Sequence, residues 1–279
     1  MKSCKILLVR FLLFLGQRTF IGRGKLRKGI IEFIRTILFL KKNNSSSYVI
    51  EDFVVSVLGV PFIFFLDKEI GYKFYFCRNE RKEIFFIRNS TKENSVFIDI
   101  GANMGLYTQM IASNFDKINK SMIVAIEPLP LNCHRIKENL RLLQNKIPNI
   151  FDRVKIEECA VGDFNKEIFL KISSGPANGV ISNYFEKDTI KIKMKTLLNI
   201  IKSNKITHIT SLKIDIEGYE DKCLVPFFNN ANKKLYPKNI VIEAGLKNAW
   251  SINLIDFLKS LDYKILNKSK SNNYILSLK

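Results

Sequence analysis

The chain has 279 residues, of which 47% are apolar and 25% are charged, the balance of an ordinary globular protein with one large core. Its five cysteines are odd in number, lie far apart and include no C-x-x-C pair. This pattern argues against a zinc ribbon or a disulfide framework and favours a reducing compartment.

The formal net charge of +19 is concentrated at the N-terminus. Residues 1–42 contain eleven Lys or Arg and one acid, Glu32, so they supply +10, and the remaining 237 residues supply +9. Basic residues alternate there with apolar clusters, and Arg10 and Arg35 interrupt the apolar runs. No window therefore reaches the roughly 18 uncharged residues that a membrane-spanning helix needs.

Residues 1–44, which include the start of a polar linker, are predicted to form a basic amphipathic segment with three possible roles. A basic helix could lie on an anionic membrane face. It could instead cap the folded domain with its basic side solvated, or act as an arm for nucleic acid. The first role predicts a cytoplasmic protein that contacts the inner face of a membrane.

Residues 45–94 predict a β-rich extension, because short β-branched and aromatic runs alternate there with turn residues. The runs are Tyr48–Val60, Phe62–Leu66, Tyr72–Cys77 and Ile84–Ile87. We expect them to form β-hairpins that precede the main sheet.

Residues 95–279 predict one α/β domain, because strand-like runs alternate with helical runs as in the βαβ units of a parallel sheet. The predicted strands lie near residues 96–100, 122–127, 154–160, 209–215 and 239–243, and the predicted helices near 105–114, 130–144, 219–228 and 250–260. Two final runs, Tyr263–Leu266 and Tyr274–Leu278, flank a polar turn and predict a closing hairpin.

An insertion over residues 163–208 separates the third and fourth of these strands. It is predicted to contain a strand over Glu167–Ile172, a loop over Ser173–Asn183, a strand over Ile190–Met194 and a helix over Thr196–Lys202. Ordered insertions of this length are often lids or substrate-binding loops.

The stretch Val96–Tyr107 predicts a strand, a tight loop and a helix. Gly101 and Gly105 indicate a backbone that turns sharply and passes close to another group, which we expect to be a ligand. The pattern D-x-G-x-N-x-G from Asp99 differs from the G-x-G-x-x-G of dinucleotide sites. An acid at this strand end would repel phosphate but suit a ligand with an ammonium group; a purely structural turn is the alternative.

Acids and small residues also end the next two predicted strands. Glu127 could accept hydrogen bonds from both hydroxyls of a ribose, or it could cap the helix that follows. Ala160 and Val161 are small enough for a flat adenine to approach the backbone. Asp163 could accept from the adenine amino group, or it could cap a turn.

Asp215 and Glu217 follow the fourth strand in the run K-I-D-I-E-G-Y-E, which begins at Lys213. If the backbone stays extended, both carboxylates point the same way, and two close carboxylates raise each other's pKa. One of them could then act as a base near neutral pH. Glu243 ends the fifth strand and is expected to face the same crevice. The three acids could instead hold a divalent ion, but solvation at a strand end is the commoner fate, so no metal is predicted.

The motifs together resemble the FkbM family of class I S-adenosylmethionine-dependent methyltransferases. D-I-G-A-N-x-G from Asp99 is similar to motif I in the variant of that family, and A-I-E-P at 125–128, A-V-G at 160–162 and K-I-D-I-E-G-Y-E at 213–220 also fit its pattern. The resemblance covers residues 95–245. It implies a doubly wound seven-stranded sheet with an antiparallel C-terminal hairpin.

The resemblance also implies S-adenosylmethionine as the cofactor, and methyl transfer to a hydroxyl of a sugar, glycan or other small molecule. Asp215 is then the first candidate for the base, Glu217 the second and Glu243 the third. The residues expected to bind the cofactor are Asp99, Gly101, Ala102, Asn103, Gly105, Glu127, Pro128, Ala160, Val161 and Asp163.

Two rival functions remain. The charge of +19 prompts an RNA or DNA base methyltransferase, but such enzymes commonly carry an Asn/Asp-Pro-Pro-aromatic turn where this chain has Ile214–Gly218, so nucleic acid is disfavoured as a partner. The second rival is a non-catalytic, membrane-associated binding module with the same fold. Cofactor binding without turnover would distinguish that module from an enzyme.

Overall fold

The computed structural model describes residues 4, 6–12, 33, 53–64, 80–171, 180–182, 189–269 and 272–279, with only the backbone of 180–182. The chain divides into two compact units, Met1–Arg81 and Lys82–Lys279. The predicted domain boundaries at residues 44 and 94 stay predictions. Within the described parts of the chain, no helix combines the length and the apolar content needed to cross a membrane.

The first unit contains a β-hairpin formed by β1 (Phe53–Val57) and β2 (Val60–Phe64). The two residues between the strands, Leu58 and Gly59, both have positive φ, which is the geometry of the tight turns that suit twisted strands. This pairing confirms a hairpin within the predicted extension. The predicted run over 72–77 lies outside the described residues.

The run Ile84–Ile87 was predicted to be a strand, and that prediction is wrong. It belongs to helix α1 (Arg81–Ser90), in which Ile84 and Ile87 are buried and Phe85 is exposed. Burial at a spacing of three residues is helical, whereas a strand buries every second residue. A run of only four apolar residues fits either pattern.

The second unit is built from alternating strands and helices. Its strands are β3 (Val96–Ile100), β4 (Met122–Ile126), β5 (Val154–Glu157), β6 (Ala160–Gly162), β7 (Lys166–Lys171), β8 (Val180–Ser182), β9 (Thr189–Thr196), β10 (Ser211–Ile214), β11 (Asn239–Glu243), β12 (Tyr263–Lys268) and β13 (Asn273–Leu278). Its further helices are α2 (Leu106–Ala112), α3 (Pro130–Arg141), α4 (Ile150–Arg153), α5 (Leu197–Ser203), α6 (Glu220–Asn230) and α7 (Leu254–Ser260).

Seven of these strands form the main sheet in the order β12-β13-β11-β10-β3-β4-β5. The five strands from β11 to β5 are parallel, and β13 runs antiparallel between β11 and β12. The doubly wound sheet and its closing hairpin are therefore confirmed. The order reverses beside β3, because the chain adds β4 and β5 on one side and β10 and β11 on the other. Ligands bind at such a switch point in doubly wound sheets.

The third predicted strand, 154–160, breaks into two. β5 ends at Glu157, and the N–H of Cys159 turns back to the carbonyl of Glu157 at 3.0 Å. β6 then leaves the main sheet and pairs with β9 in a second sheet of order β6-β9-β7-β8. β7, β9 and α5 confirm the two strands and the helix predicted for the insertion. Most of the predicted loop over Ser173–Asn183 lies outside the described residues.

The main core lies between one face of the sheet and the helices packed against it. Ile98, Leu212 and Ile240, from three adjacent parallel strands, are fully buried there. These strands are continuous apolar runs because a parallel sheet is covered on both faces. On the other face of β3 and β10, Asp99 and Lys213 are charged and buried, and both belong to the site described next.

Candidate functional site

A cleft of about 740 Å³, counting the part open to solvent, lies at the carboxyl ends of β3, β4 and β10. Six of the residues predicted to bind a cofactor line it, namely Gly101, Asn103, Glu127, Pro128, Ala160 and Val161. The predicted bases Asp215 and Glu217 also line it.

Gly101 is the point at which the loop after β3 meets the end of β10. Its φ is +71°, and a Cβ there would lie 1.9 Å from the carbonyl oxygen of Asp215. The N–H of Asp215 donates to the carbonyl of Ile100 at 3.1 Å. The sequence correctly required a close approach at this glycine, and the group approached is the carbonyl of Asp215. Gly101 also lines the cleft, so a ligand contact there stays a prediction.

Asp99, which was predicted to bind the cofactor, does not line the cleft. Its side chain is fully buried, and Oδ2 accepts from the N–H and the hydroxyl of Thr108 at 3.1 and 2.7 Å. The carboxylate therefore caps the first turn of α2 from below the loop, where a negative charge suits the helix N-terminus. Burial raises the pKa of Asp99, and Lys213 and the Thr108 donors oppose part of that rise.

Three further residues that were predicted to bind the cofactor do not line the cleft, namely Ala102, Gly105 and Asp163. The N–H of Ala102 donates to the carbonyl of Ile126 at 3.1 Å, which ties the loop to β4. Gly105 has a φ of +83°, and a Cβ there would come within 3.0 Å of the Ile136 side chain on α3. In the described part of the chain, Oδ1 of Asp163 is buried without a hydrogen-bond partner. The first two residues shape the loop, as a structural turn requires.

Glu127 lies at the centre of the cleft wall and holds the loop in place. Its Oε2 accepts from the N–H of Asn103 at 2.9 Å, and its Oε1 accepts from the N–H of Leu129 and from Nδ2 of Asn132, both at 3.1 Å. Burial raises the pKa of Glu127, and these three donors counteract the rise. Glu127 thus both lines the cleft and caps the chain after β4, and its contact with a ribose stays a prediction.

Another part of the cleft lining is apolar, and some of it comes from the second sheet. Ala160 and Val161 of β6 and Leu170 of β7 line it, together with the ring of Tyr219. Gly162 leaves room for this ring, because a Cβ there would lie 3.1 Å from Cε1 of Tyr219. The inserted sheet therefore contributes a wall of the cleft through small and aliphatic side chains.

The turn after β10 is not extended, contrary to the prediction for Asp215 and Glu217. Glu217 has a φ of +55°, and Glu220 Oε1 accepts from the N–H groups of Ile216 and Gly218 at 2.9 and 3.2 Å. The two acids nevertheless remain close enough to interact. Partial burial raises the pKa of Glu217, as do the charges of Asp215 and Glu220.

Glu243 lies beside this pair at the end of β11. Its Oε1 accepts from the N–H of Gly245 at 2.9 Å. Partial burial raises the pKa of Glu243 to about 7, and the neighbouring charge of Asp215 adds to the effect. Glu243 does not line the cleft itself. Among the described residues, no group of His, Cys, Asp and Glu side chains has an arrangement that could hold a metal ion.

Lys213 and Tyr219 are among the residues of the site that sequence reasoning missed. Lys213 donates to the carbonyl of Gly101 at 2.8 Å and lies 3.7 Å from Oδ2 of Asp215. A lysine inside an otherwise apolar parallel strand was the signal, because a buried charge needs partners. No pattern in the sequence marked Tyr219, because its position in the wall depends on the packing of the second sheet.

The strand order, the reversed last strand and a cleft at the switch point define a class I methyltransferase-like fold. The model of the methyltransferase FkbM domain matches residues 99–265, which is more than half of the chain. The protein belongs to the FkbM methyltransferase family. A comparison with curated proteins found no match.

Several solved structures are similar to the chain. A methyltransferase FkbM from Methylobacillus flagellatus KT has 18% identity and a TM-score of 0.47, over 67% of this chain and 44% of its own length. A methyltransferase from Geobacter sulfurreducens has 14% identity and a TM-score of 0.42, over 71% of this chain and 77% of its own. M. capricolum TrmK, solved with S-adenosylhomocysteine, has 13% identity and a TM-score of 0.40, over 70% of this chain and 66% of its own.

The raised pKa of Glu243 predicts a pH-dependent effect of Glu243→Gln on stability. An acid whose pKa is higher in the folded than in the unfolded protein loses stability as the pH rises from its ordinary value, 4.5, to about 7. The substitution removes that loss and keeps an acceptor for the N–H of Gly245. It should therefore raise the melting temperature more at about pH 8 than at about pH 5.

Melting curves followed by circular dichroism across this pH range test the prediction. Glu167→Gln is the control, because Glu167 is an exposed carboxylate paired with Lys191 on the second sheet. A gain for Glu243→Gln that is the same at both pH values would contradict the assignment.

Proposed function

We propose that the protein is an S-adenosylmethionine-dependent O-methyltransferase that methylates a hydroxyl group of a sugar, a glycan or another small molecule. The observation that carries the proposal is that two carboxylates, Glu127 and Asp215, line one cleft. Glu127 is anchored at the end of β4, and Asp215 lies at the end of β10. Membership of the FkbM family supports the reaction class.

The residues of the cleft fit the cofactor. A carboxylate offers about four acceptor positions, and three described donors use those of Glu127, so capacity remains for a ribose hydroxyl. Ala160, Val161 and Leu170 form an apolar wall against which a flat adenine can lie. When bound, S-adenosylmethionine supplies an electrophilic methyl group on a sulfonium. Asp99 is excluded from direct contact by its burial.

Asp215 is the group best placed to take the proton from an acceptor hydroxyl. A neutral alcohol needs a base within hydrogen-bond reach as it is methylated. The Asp215 side chain is 36% exposed at the cleft, whereas Asp99 on the adjacent strand is fully buried. Glu217 is the second candidate because it also lines the cleft, and Glu243 the third because it lies beside Asp215.

The charges around the acceptor side favour a small molecule over nucleic acid. Asp215 and Glu217 line this end of the cleft, and Glu243 lies beside Asp215. Partial burial raises the pKa of each glutamate, and the charge of Asp215 adds to the rise. A phosphodiester backbone carries one negative charge per nucleotide and would be repelled there. The basic residues that prompted a nucleic-acid partner are concentrated in residues 1–42 instead.

Glu127→Gln should weaken the binding of S-adenosylmethionine about 10- to 100-fold, because a charge-assisted hydrogen bond contributes about 1.5–3 kcal/mol. The substitution preserves the shape of the side chain. Isothermal titration calorimetry measures the affinity. Glu157→Gln is a matched control, because Glu157 ends the neighbouring strand but bonds to Lys195 and Asn204. Equal affinities of wild type and Glu127→Gln would reject Glu127 as a cofactor ligand.

Asp215→Asn should lower methyl transfer about 10²- to 10⁴-fold, because it removes the proton acceptor, while the affinity for S-adenosylmethionine changes little. Extracts of cells that lack the gene provide the acceptor. They are incubated with purified enzyme and S-adenosylmethionine labelled in its methyl group, and the label is measured in glycan, lipid, small-molecule and nucleic-acid fractions. Asp116→Asn, at a surface ion pair with Lys146, is the control.

Three outcomes of this experiment would change the proposal. A fully active Asp215→Asn variant would move the role of the base to Glu217 or Glu243. Label found mainly in nucleic acid would contradict a small-molecule acceptor. A wild-type protein that binds the cofactor but labels no fraction would support the non-catalytic binding module.

We also propose that residues 1–42 attach the protein to an anionic membrane on its cytoplasmic face. The net charge of +10 supports this, since about 1 kcal/mol is gained for each basic residue near such a surface. Leu7 and Phe11, on the described helical residues 6–12, are 68% and 55% exposed, and Arg10 lies between them in sequence. Exposed apolar residues next to basic ones are typical of interfacial helices.

The double variant Leu7→Glu/Phe11→Glu and a deletion of residues 1–44 should each abolish flotation with vesicles that contain anionic lipid. The wild-type protein should float with these vesicles and not with vesicles of neutral lipid. Phe164→Glu is the matched control, because Phe164 is 61% exposed on the other unit. Equal flotation of wild type and the double variant would reject the membrane contact. The contact would also be rejected if neither protein floated with the anionic vesicles.

A further inference from the structure

Lys213 is a buried lysine between two acids and the loop. Its side chain is only 8% exposed, and Nζ donates to the carbonyl of Gly101 at 2.8 Å. The same Nζ lies 3.8 Å from Oδ1 of Asp99 and 3.7 Å from Oδ2 of Asp215. The ring of Tyr107, with its centroid 5.5 Å away, covers another side of the ammonium.

The sheet itself brings these groups together. Lys213 on β10 is the register partner of Asp99 on β3, so the two side chains lie on the same face of the sheet. Asp215 follows two residues later, and its N–H continues the pairing with β3 through the carbonyl of Ile100. The ammonium is therefore placed between the carboxylate under the loop and the carboxylate at the cleft.

We propose that Lys213 is a positioning residue that sets the glycine loop and Asp215 in one arrangement, so that the cofactor site and the proton acceptor are placed by a single ammonium. The inference rests on the proposed methyltransferase function for the role of Asp215. It goes beyond that function because Lys213 does not line the cleft and acts through its neighbours.

Electrostatics explains why a cation is needed at this point. Asp99 and Asp215 repel each other, and the charge of Asp215 contributes to the raised pKa of Asp99. Lys213 opposes this effect, and it also acts against the raised pKa of Glu127 and Glu217. Among the described residues, Lys213 is the one cation whose charge lowers the pKa values of Asp99, Glu127 and Glu217. Without the ammonium, the carbonyl of Gly101 would also lose its donor.

The test combines Lys213→Met with Asp99→Asn, because a lone buried carboxylate left by the first substitution could unfold the protein. Lys213→Met should destabilise the protein more at about pH 8 than at about pH 5. The sign follows from Asp99, whose pKa rises further without the cation, so that folding is penalised as the pH climbs from the unfolded to the folded pKa. The double variant Lys213→Met/Asp99→Asn should regain most of the melting temperature and lose this pH dependence.

Cofactor binding separates positioning from stability. S-adenosylhomocysteine, titrated calorimetrically, should bind the double variant about 10-fold or more weakly than wild type, because the carbonyl of Gly101 still lacks its donor. Methyl incorporation by the double variant at saturating S-adenosylmethionine should also fall, because the ammonium beside Asp215 is lost. Lys195→Met, which removes the partner of Glu157 on the second sheet, should change neither readout.

Two results would overturn the role of Lys213, and a third would overturn the proposed function. If the double variant regains both stability and wild-type affinity for S-adenosylhomocysteine, Lys213 serves only to neutralise Asp99 and the proposal is overturned. If the wild-type protein does not bind S-adenosylhomocysteine, the proposed function fails. Even then, the melting temperatures of the single and double variants show whether Lys213 and Asp99 are energetically coupled. An uncoupled pair would also overturn the proposal.

Discussion

The close approach of two backbones at Gly101 determines the geometry of the site. The loop continues the pairing of the sheet on both sides: the N–H of Gly101 donates to Ile126 at 3.0 Å, and the N–H of Asp215 donates to Ile100 at 3.1 Å. Only a residue without a Cβ fits at that distance from the Asp215 carbonyl. The loop, the end of β4 and the end of β10 are thereby fixed relative to each other before any ligand arrives.

The buried charges complete this arrangement. Asp99 holds the first turn of α2, Glu127 holds the loop at Asn103, and Lys213 links the loop to Asp215. Each charge has a specific partner, as a buried charge must if it is not to destabilise the fold. The acceptor side of the cleft is acidic although the chain carries +19 overall, so the local distribution of charge, and not its sum, is relevant to the substrate.

Sequence reasoning succeeded where the apolar runs were continuous and clearly separated by helical segments. The parallel strands β3, β4 and β11 and the closing hairpin were found within a residue or two, because continuous apolar runs of that length between helices have few alternatives. It failed at Ile84–Ile87, where four apolar residues fit a helix as well as a strand. It also failed at Cys159, where a single turn moves the chain from one sheet to the other.

The sequence by itself determined the family, the alternation of strands and helices with its closing hairpin, and eight of the residues that line the cleft, because the glycines and acids at the strand ends occur together in one pattern. Tertiary structure decided which of those residues face the cleft. Asp99 and Glu127 are both acids of parallel strands, but Asp99 lies one residue before the end of β3 and points under the loop, whereas Glu127 follows the last residue of β4 and lines the cleft. The position of a side chain relative to the strand end, and the helix or loop packed against it, is set by packing and hydrogen bonding across the sheet, which no local pattern records.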